Sequence, residues 1–179
     1  MNIPEIFNLY YKDNPELLAT VATHSECVAR KALDCLRLKG IEADEQFVRE
    51  AALLHDIGVV RCDAPAIYCY GTLPYICHGV EGRAMLDSLG LHRHALVCER
   101  HTGSGLTLED IERQNLPLPH RDMCPMSIEE KVICYADKFF SKSGILTEEK
   151  PLKKVVKQMQ RFGDDSLRRF LELHSIFAL

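Results

Sequence analysis

Apolar residues recur at helical spacing along nearly the whole chain, and the strict alternation of a half-buried strand is absent, so the pattern predicts an all-α fold. The clearest element starts at Asn14-Pro15-Glu16, with Asn14 as N-cap and Pro15 at the first helical position. Its stripe runs Leu17, Val21, His24, Val28, Cys35 and Leu38, which places His24 on the inward face. Lys39-Gly40 closes it with a basic last turn and a C-cap glycine. A short helix over residues 4–11 precedes it, laid across the surface. Asp44 caps a following helix that turns Phe47, Ala51 and Leu54 inward and ends at Gly58.

Residues 59–77 break the pattern, with Pro65, Gly71 and Pro74 as punctuation. So long a connection usually has a function or some structure of its own. Its Tyr68, Tyr70 and Tyr75 predict a pocket wall on the substrate side, a merely structural connector being the alternative. A helix from His78 to Gly90 carries Met85, Leu86 and Leu89; the next, over residues 92–101, carries Leu91, Ala95 and Cys98 on one side. Thr107 to Asp110 reads as a capping box opening a short helix. After an irregular, proline-rich surface stretch over residues 115–125, Ser127 caps a helix burying Ile128, Val132, Tyr135, Ala136 and Phe139. Two more helices span residues 152–161 and 164–173. The expectation is one domain over residues 1–179, a helical bundle with its core at about 19–140 and the helices of 152–174 packed on it.

Composition narrows the picture. A length of 179 residues with 46% apolar and 27% charged content suits a globular domain with a substantial core. The net charge of −4 speaks against binding a nucleic-acid polymer, which needs clustered cations, but leaves room for a small phosphorylated ligand in a local basic pocket. No run approaches the roughly 18 apolar residues of a membrane span, and the first residues lack the basic start and apolar core of a signal peptide. A cytoplasmic protein, monomer or homodimer, is expected. Eight cysteines form no C-x-x-C pair and sit mostly within apolar helical patterns, so they read as free thiols acting as small hydrophobes.

Candidate chemistry gathers at helix ends. The run Ala51-Ala52-Leu53-Leu54 is closed by His55-Asp56, an awkward pair for a core unless a metal ion takes both. The other ligand-grade residues on inward faces or at helix ends are His24, His78, His101 and Asp137. Taken singly, each fits a satisfied core histidine, a cap or a salt-bridge partner. Taken together, they come from different helices, the way bundles build metal sites. Imidazoles with carboxylates suit Fe, Mn, Co, Ni or Zn better than Ca or Mg.

The ordered set His24, His55-Asp56, His78, His101 and Asp137 resembles the HD-domain superfamily of metal-dependent phosphohydrolases, and His55-Asp56-Ile57-Gly58 matches its HDIG form. The resemblance covers roughly residues 19–140. It extends to the stretches that begin at His78-Gly79-Val80 and His101-Thr102-Gly103, which are similar to those of small, stand-alone HDIG proteins. It implies a pair of divalent transition-metal ions. His24, His55, Asp56 and Asp137 would bind one, and His78 and His101 the other, with Asp56 bridging. It also implies hydrolysis of a small phosphorylated metabolite or nucleotide, monoester or diester, by a water that the two ions activate. Where many such phosphodiesterases have a lysine after the glycine, Val59 stands here. Arg61 and Lys138 are the favoured substitutes for phosphate contact, with Arg83, Arg100 and Arg121 behind them. The GYP signature of cyclic-dinucleotide phosphodiesterases is missing. Glu26 and Glu81 are candidates for orienting an imidazole, and His120 for approaching the pocket; His92, His94 and His174 read as surface or packing residues. Some HD-fold proteins with the same six-ligand order are di-iron oxygenases, which makes oxygen chemistry the alternative. A non-catalytic, metal-containing ligand sensor is the third reading.

Overall fold

A computed structural model describes residues 2–179. Among these residues the α-helices are α1 (Ile3–Tyr11), α2 (Pro15–Lys39), α3 (Glu45–Leu54), α4 (His78–Asp87), α5 (His92–Arg100), α6 (Leu108–Arg113), α7 (Ile128–Asp137), α8 (Leu152–Gln160) and α9 (Asp164–Phe177). The fold is all-α. The one sheet among the described residues is a pair of two-residue antiparallel strands, β1 (Asp63–Ala64) and β2 (Cys69–Tyr70), with Asp63 opposite Tyr70 and Ala64 opposite Cys69. A strand that short carries no periodicity to read.

Helix α2 is the spine and packs on both α3 and α7. Asn14 caps its start by accepting from the Leu17 amide at 3.0 Å. At its end Gly40 adopts φ +64°, its N–H donates to the Arg37 carbonyl, and the Ile41 N–H donates to the Leu36 carbonyl. This Schellman pairing folds Ile41 back onto the turn of Leu36 and corrects the expected stripe. Leu36 is buried, whereas Leu38 is 73% exposed. Leu89 is likewise exposed, because α4 stops at Asp87 and the chain turns away through Gly90 at φ +73°.

Two apolar clusters flank the middle of the bundle. One joins α2, α3 and α7 with Val155, Met159, Phe170, Leu173 and Phe177 from the C-terminal helices. Helix α9 runs to Phe177, past the expected end at 173, because Phe177 is fully buried there. The other cluster joins α1 and the N-terminal half of α2 to Leu54, Ile57, Met85 and Cys98. Tyr11 anchors α1 in it by donating its buried hydroxyl to the Ile57 carbonyl at 3.1 Å. All eight cysteines are free, and every one except Cys124 is buried.

Close backbone approach brings the helix ends together. After α3 the chain enters a 3₁₀ turn, Ile57–Arg61, which packs on α4. A Cβ built on Gly58 would lie 2.1 Å from the His78 carbonyl oxygen, and one on Gly79 would lie 2.6 Å from the Cys98 carbonyl oxygen. Only glycine lets these segments meet at this distance. The end of α3, the start of α4 and the end of α5 therefore converge on one point.

Candidate metal centre

Three histidines share one local device. His55 is the C-cap of α3, His101 the C-cap of α5, and His78 the C-cap of the 3₁₀ turn Tyr75–Cys77. Helix ends leave carbonyls without intrahelical partners. Each histidine turns its Nδ1 onto the carbonyl three residues before it: Ala52 at 2.6 Å, Tyr75 at 2.6 Å and Cys98 at 2.8 Å. In the neutral imidazole the proton is thereby held on Nδ1, and Nε2 is free to donate its lone pair. The fourth histidine, His24, projects from mid-α2.

The four Nε2 atoms surround the Asp56 carboxylate, which they meet from both sides. Its Oδ2 lies 3.0 Å from His55 Nε2 and 3.3 Å from His24 Nε2. Its Oδ1 lies 3.4 Å from His101 Nε2 and 3.6 Å from His78 Nε2. Asp137, at the C-terminal end of α7, adds Oδ1 at 3.0 Å from His24 Nε2 and 3.5 Å from His55 Nε2. Two groups result, His24-His55-Asp56-Asp137 and Asp56-His78-His101, each with its ligand atoms within 4.8 Å of one another and all buried.

The donors suit a cation. His55 Nε2 and both Asp56 oxygens are buried in close ion-pair contacts but make no well-aligned hydrogen bond, an arrangement that coordination would improve. Buried carboxylates and neutral imidazoles are the donor set for divalent transition metals. Electrostatics agrees. Burial opposes a charge on Asp56, but His55 and Lys142 hold its carboxyl well below the usual range; Lys138 and Lys142 do the same for Asp137. Burial, reinforced by His101, pushes His78 down to about 3, so it is neutral. Burial disfavours a charge on His55 too, but Asp56 and Asp137 outweigh it and raise the imidazole to about 9.

A cavity of about 600 Å³ opens beside the cluster, with His78, His101 and Asp137 in its wall. Three lysines line it. Lys138 Nζ lies 2.7 Å from Asp137 Oδ2 and donates to the His101 carbonyl at 2.9 Å. Lys142 Nζ lies 2.7 Å from Asp56 Oδ2. Lys150 has no ion-pair partner among the described residues. Lys142 and Lys150 escaped the sequence reading because they follow α7 in an irregular stretch where periodicity says nothing about direction.

The remaining candidates do not gather at the cluster. Arg61 is exposed at the end of its 3₁₀ turn and does not line the cavity, because the turn points it to solvent while burying Cys62 behind it. Arg83 and Arg121 both clamp the buried carboxylate of Glu99, and Arg100 pairs with Glu130 at 3.0 Å. Glu26 is on the surface with Arg49 at 2.9 Å. Glu81 is half-buried in the first turn of α4, and backbone carbonyls orient the histidines instead. His120 is exposed beside Glu112, and His92 beside Asp87. His94 packs edge-on against Phe47, and His174 meets the Tyr135 hydroxyl at 3.0 Å. Of the three tyrosines, Tyr75 lines the cavity and stacks on His78 at 4.7 Å, while Tyr68 and Tyr70 are exposed. Ala64, Ala66 and Ile67 of the same segment line the cavity.

The family model for the HD domain matches residues 21–141, the span that supplies every residue of both groups. The chain belongs to the HD domain family. An uncharacterized protein of Methanocaldococcus jannaschii is 32% identical over 86% of this chain and 85% of its own length. The tRNA (cytidine(56)-2'-O)-methyltransferase of Picrophilus torridus is 34% identical over 82% of the chain, and that of Thermoplasma volcanium 30% identical over 78%. This HD domain chain spans only 37% of the length of either methyltransferase. No solved structure matches it. No helix among the described residues is long and apolar enough to cross a membrane.

Proposed function

We propose that this HD domain protein is a metal-dependent phosphohydrolase acting on a small phosphorylated molecule, with two divalent ions held between the helices. The observation that carries the reading is the division of Asp56: Oδ2 faces His24 and His55, and Oδ1 faces His78 and His101. One carboxylate turned to two sets of imidazoles would serve as a ligand to both ions. His24, His55, Asp56 and Asp137 would hold one ion; Asp56, His78 and His101 would hold the other. Such ions lower the pKa of a coordinated water and neutralise charge on phosphoryl oxygens.

The chain's own residues do the rest. Backbone carbonyls lock three imidazoles, so the donor atoms need no reorganisation. The ammonium groups of Lys138, Lys142 and Lys150 give the cavity cationic donors for phosphoryl oxygens. Apolar groups, Tyr75, Ile76 and Phe140 among them, exclude bulk water from one wall and strengthen those charges. The methyltransferase activity of the relatives is not carried over, since the chain spans little more than a third of those enzymes.

The test combines elemental analysis with a panel of phosphomonoesters and phosphodiesters assayed under air and under nitrogen. Metal-dependent phosphate release that is indifferent to oxygen is expected. Bound iron with strictly oxygen-dependent turnover replaces the reading with an oxygenase, and full metal occupancy without turnover replaces it with a sensor.

A further inference from the structure

A second cavity lies against the one beside the candidate metal centre. Ile76, Thr102, Gly103 and Phe162 line both, and the second has a volume of about 210 Å³. The two differ in character. Apart from Asp137, the charged groups of the cavity wall outside the ligand histidines are Lys138, Lys142 and Lys150. In the side cavity the charged groups are Asp110 and Arg169, which pair with each other at 2.5 Å and leave no net charge. Its apolar wall is completed by Leu106 and Leu116.

Volume and polarity then limit the occupant. A cavity of about 150 Å³ accommodates a benzene ring, so this one has room for a single ring and its substituents. A phosphate group alone would use neither the room nor the apolar wall. Arg169, a residue of this wall, has a buried Nε–H with no acceptor in the protein. An uncharged ring carrying an acceptor atom answers all three features.

We propose that the substrate is a phosphate ester whose leaving group carries an uncharged ring, with the phosphoryl end among the three lysines and the ring in the side cavity. The phosphoryl end rests on the phosphohydrolase reading; the ring end rests on the side cavity alone.

The test measures binding, so that it does not depend on turnover. The full chain loaded with manganese is titrated calorimetrically with phenylphosphonate and with methylphosphonate. The phenyl compound should bind roughly tenfold more tightly, the gain from burying one ring face. Leu116→Trp, which fills the side cavity, should bring the ratio to about one, and Gln114→Trp, a surface change at the cavity mouth, should do the same if the first variant fails to fold. Equal affinity for the two phosphonates in the unmodified protein overturns the ring proposal while leaving the hydrolase reading intact. A phenyl preference in a protein that releases phosphate from no ester would instead retain this ligand class and remove the hydrolase reading. Failure of the loaded protein to bind either compound overturns both.

Discussion

Lys142 Nζ lies 2.7 Å from Asp56 Oδ2, the oxygen that also faces His24 and His55. The lysine is largely but not fully buried, and although burial disfavours its charge, Asp56 raises its pKa well above the ordinary value. An ammonium group thus lies on the Asp56 carboxylate and would compete with a metal ion for that oxygen. Lys142→Met should therefore have opposite effects in the two states. Without metal, the variant loses on the order of 3 kcal/mol, because a buried carboxylate is stripped of its partner. With metal, the deficit shrinks and the ion binds about tenfold more tightly, ~1.4 kcal/mol. Thermal melts in chelator and in manganese, with calorimetric titration of the ion, read both effects; unchanged metal affinity together with an unchanged chelator melt defeats the competition.

The division of the ligands predicts stoichiometry. His78→Ala or His101→Ala touches one group and should reduce bound metal from two equivalents to one. Asp56→Ala touches both and should remove nearly all of it. Elemental analysis after incubation with excess manganese and desalting provides the count, and an identical loss in all three variants argues against a bridging role for Asp56.

Lys150 titrates within a usable range. Burial, then the neighbouring Lys138, Lys142 and Lys154, lower it from 10.5 to about 8, against the opposing pull of Asp137. It carries its charge below pH 8 and loses it above, so anion binding should weaken as pH rises through 8. Sulfate, which stays a dianion throughout, is the probe: its inhibition constant should rise across pH 7 to 9.5, with the step near 8 absent in Lys150→Met. The sign for folding is opposite. The unfolded chain keeps this proton up to about 10.5 and the folded chain releases it near 8, so Lys150 makes stability increase with pH between those values. A sulfate profile identical in the variant removes Lys150 from the anion site.

Gly58 links the family motif to packing. A Cβ there would stand 2.1 Å from the His78 carbonyl oxygen and 2.3 Å from the Gly82 nitrogen, both of them backbone atoms. Gly58→Ala must push α4 away from the 3₁₀ turn, at a cost of about 3 kcal/mol or more. Since α4 begins at His78, the same shift should weaken metal binding at the Asp56-His78-His101 group more than at the other. A variant that melts like the parent and holds the same metal complement would show that the contact is not tight.

Much of this was legible along the chain. The helix starts at Asn14, Asp44, Thr107 and Ser127 each show the expected side-chain cap, because a cap is a local interaction between residues three apart. His24, His55, Asp56, His78, His101 and Asp137 were readable as a set from their order and their places on helices. Arg61 was misread, and Lys142 and Lys150 were missed, for one reason. All three lie at the end of or outside regular helices, where the direction of a side chain depends on what the loop packs against.

The sequence by itself determined an all-α chain, its caps and the six candidate ligand residues as an ordered set, since helical periodicity and capping act over a few neighbouring residues. The tertiary structure decided which atoms face which. Only the close approach at Gly58 and Gly79 brings three helix ends to one point. Only the folded cluster turns the two oxygens of Asp56 to different pairs of histidines, and only it sets Lys142 on one of them. Apart from the neighbours His55 and Asp56, those contacts join residues 19 to 86 positions apart, and no local rule of the chain can fix them.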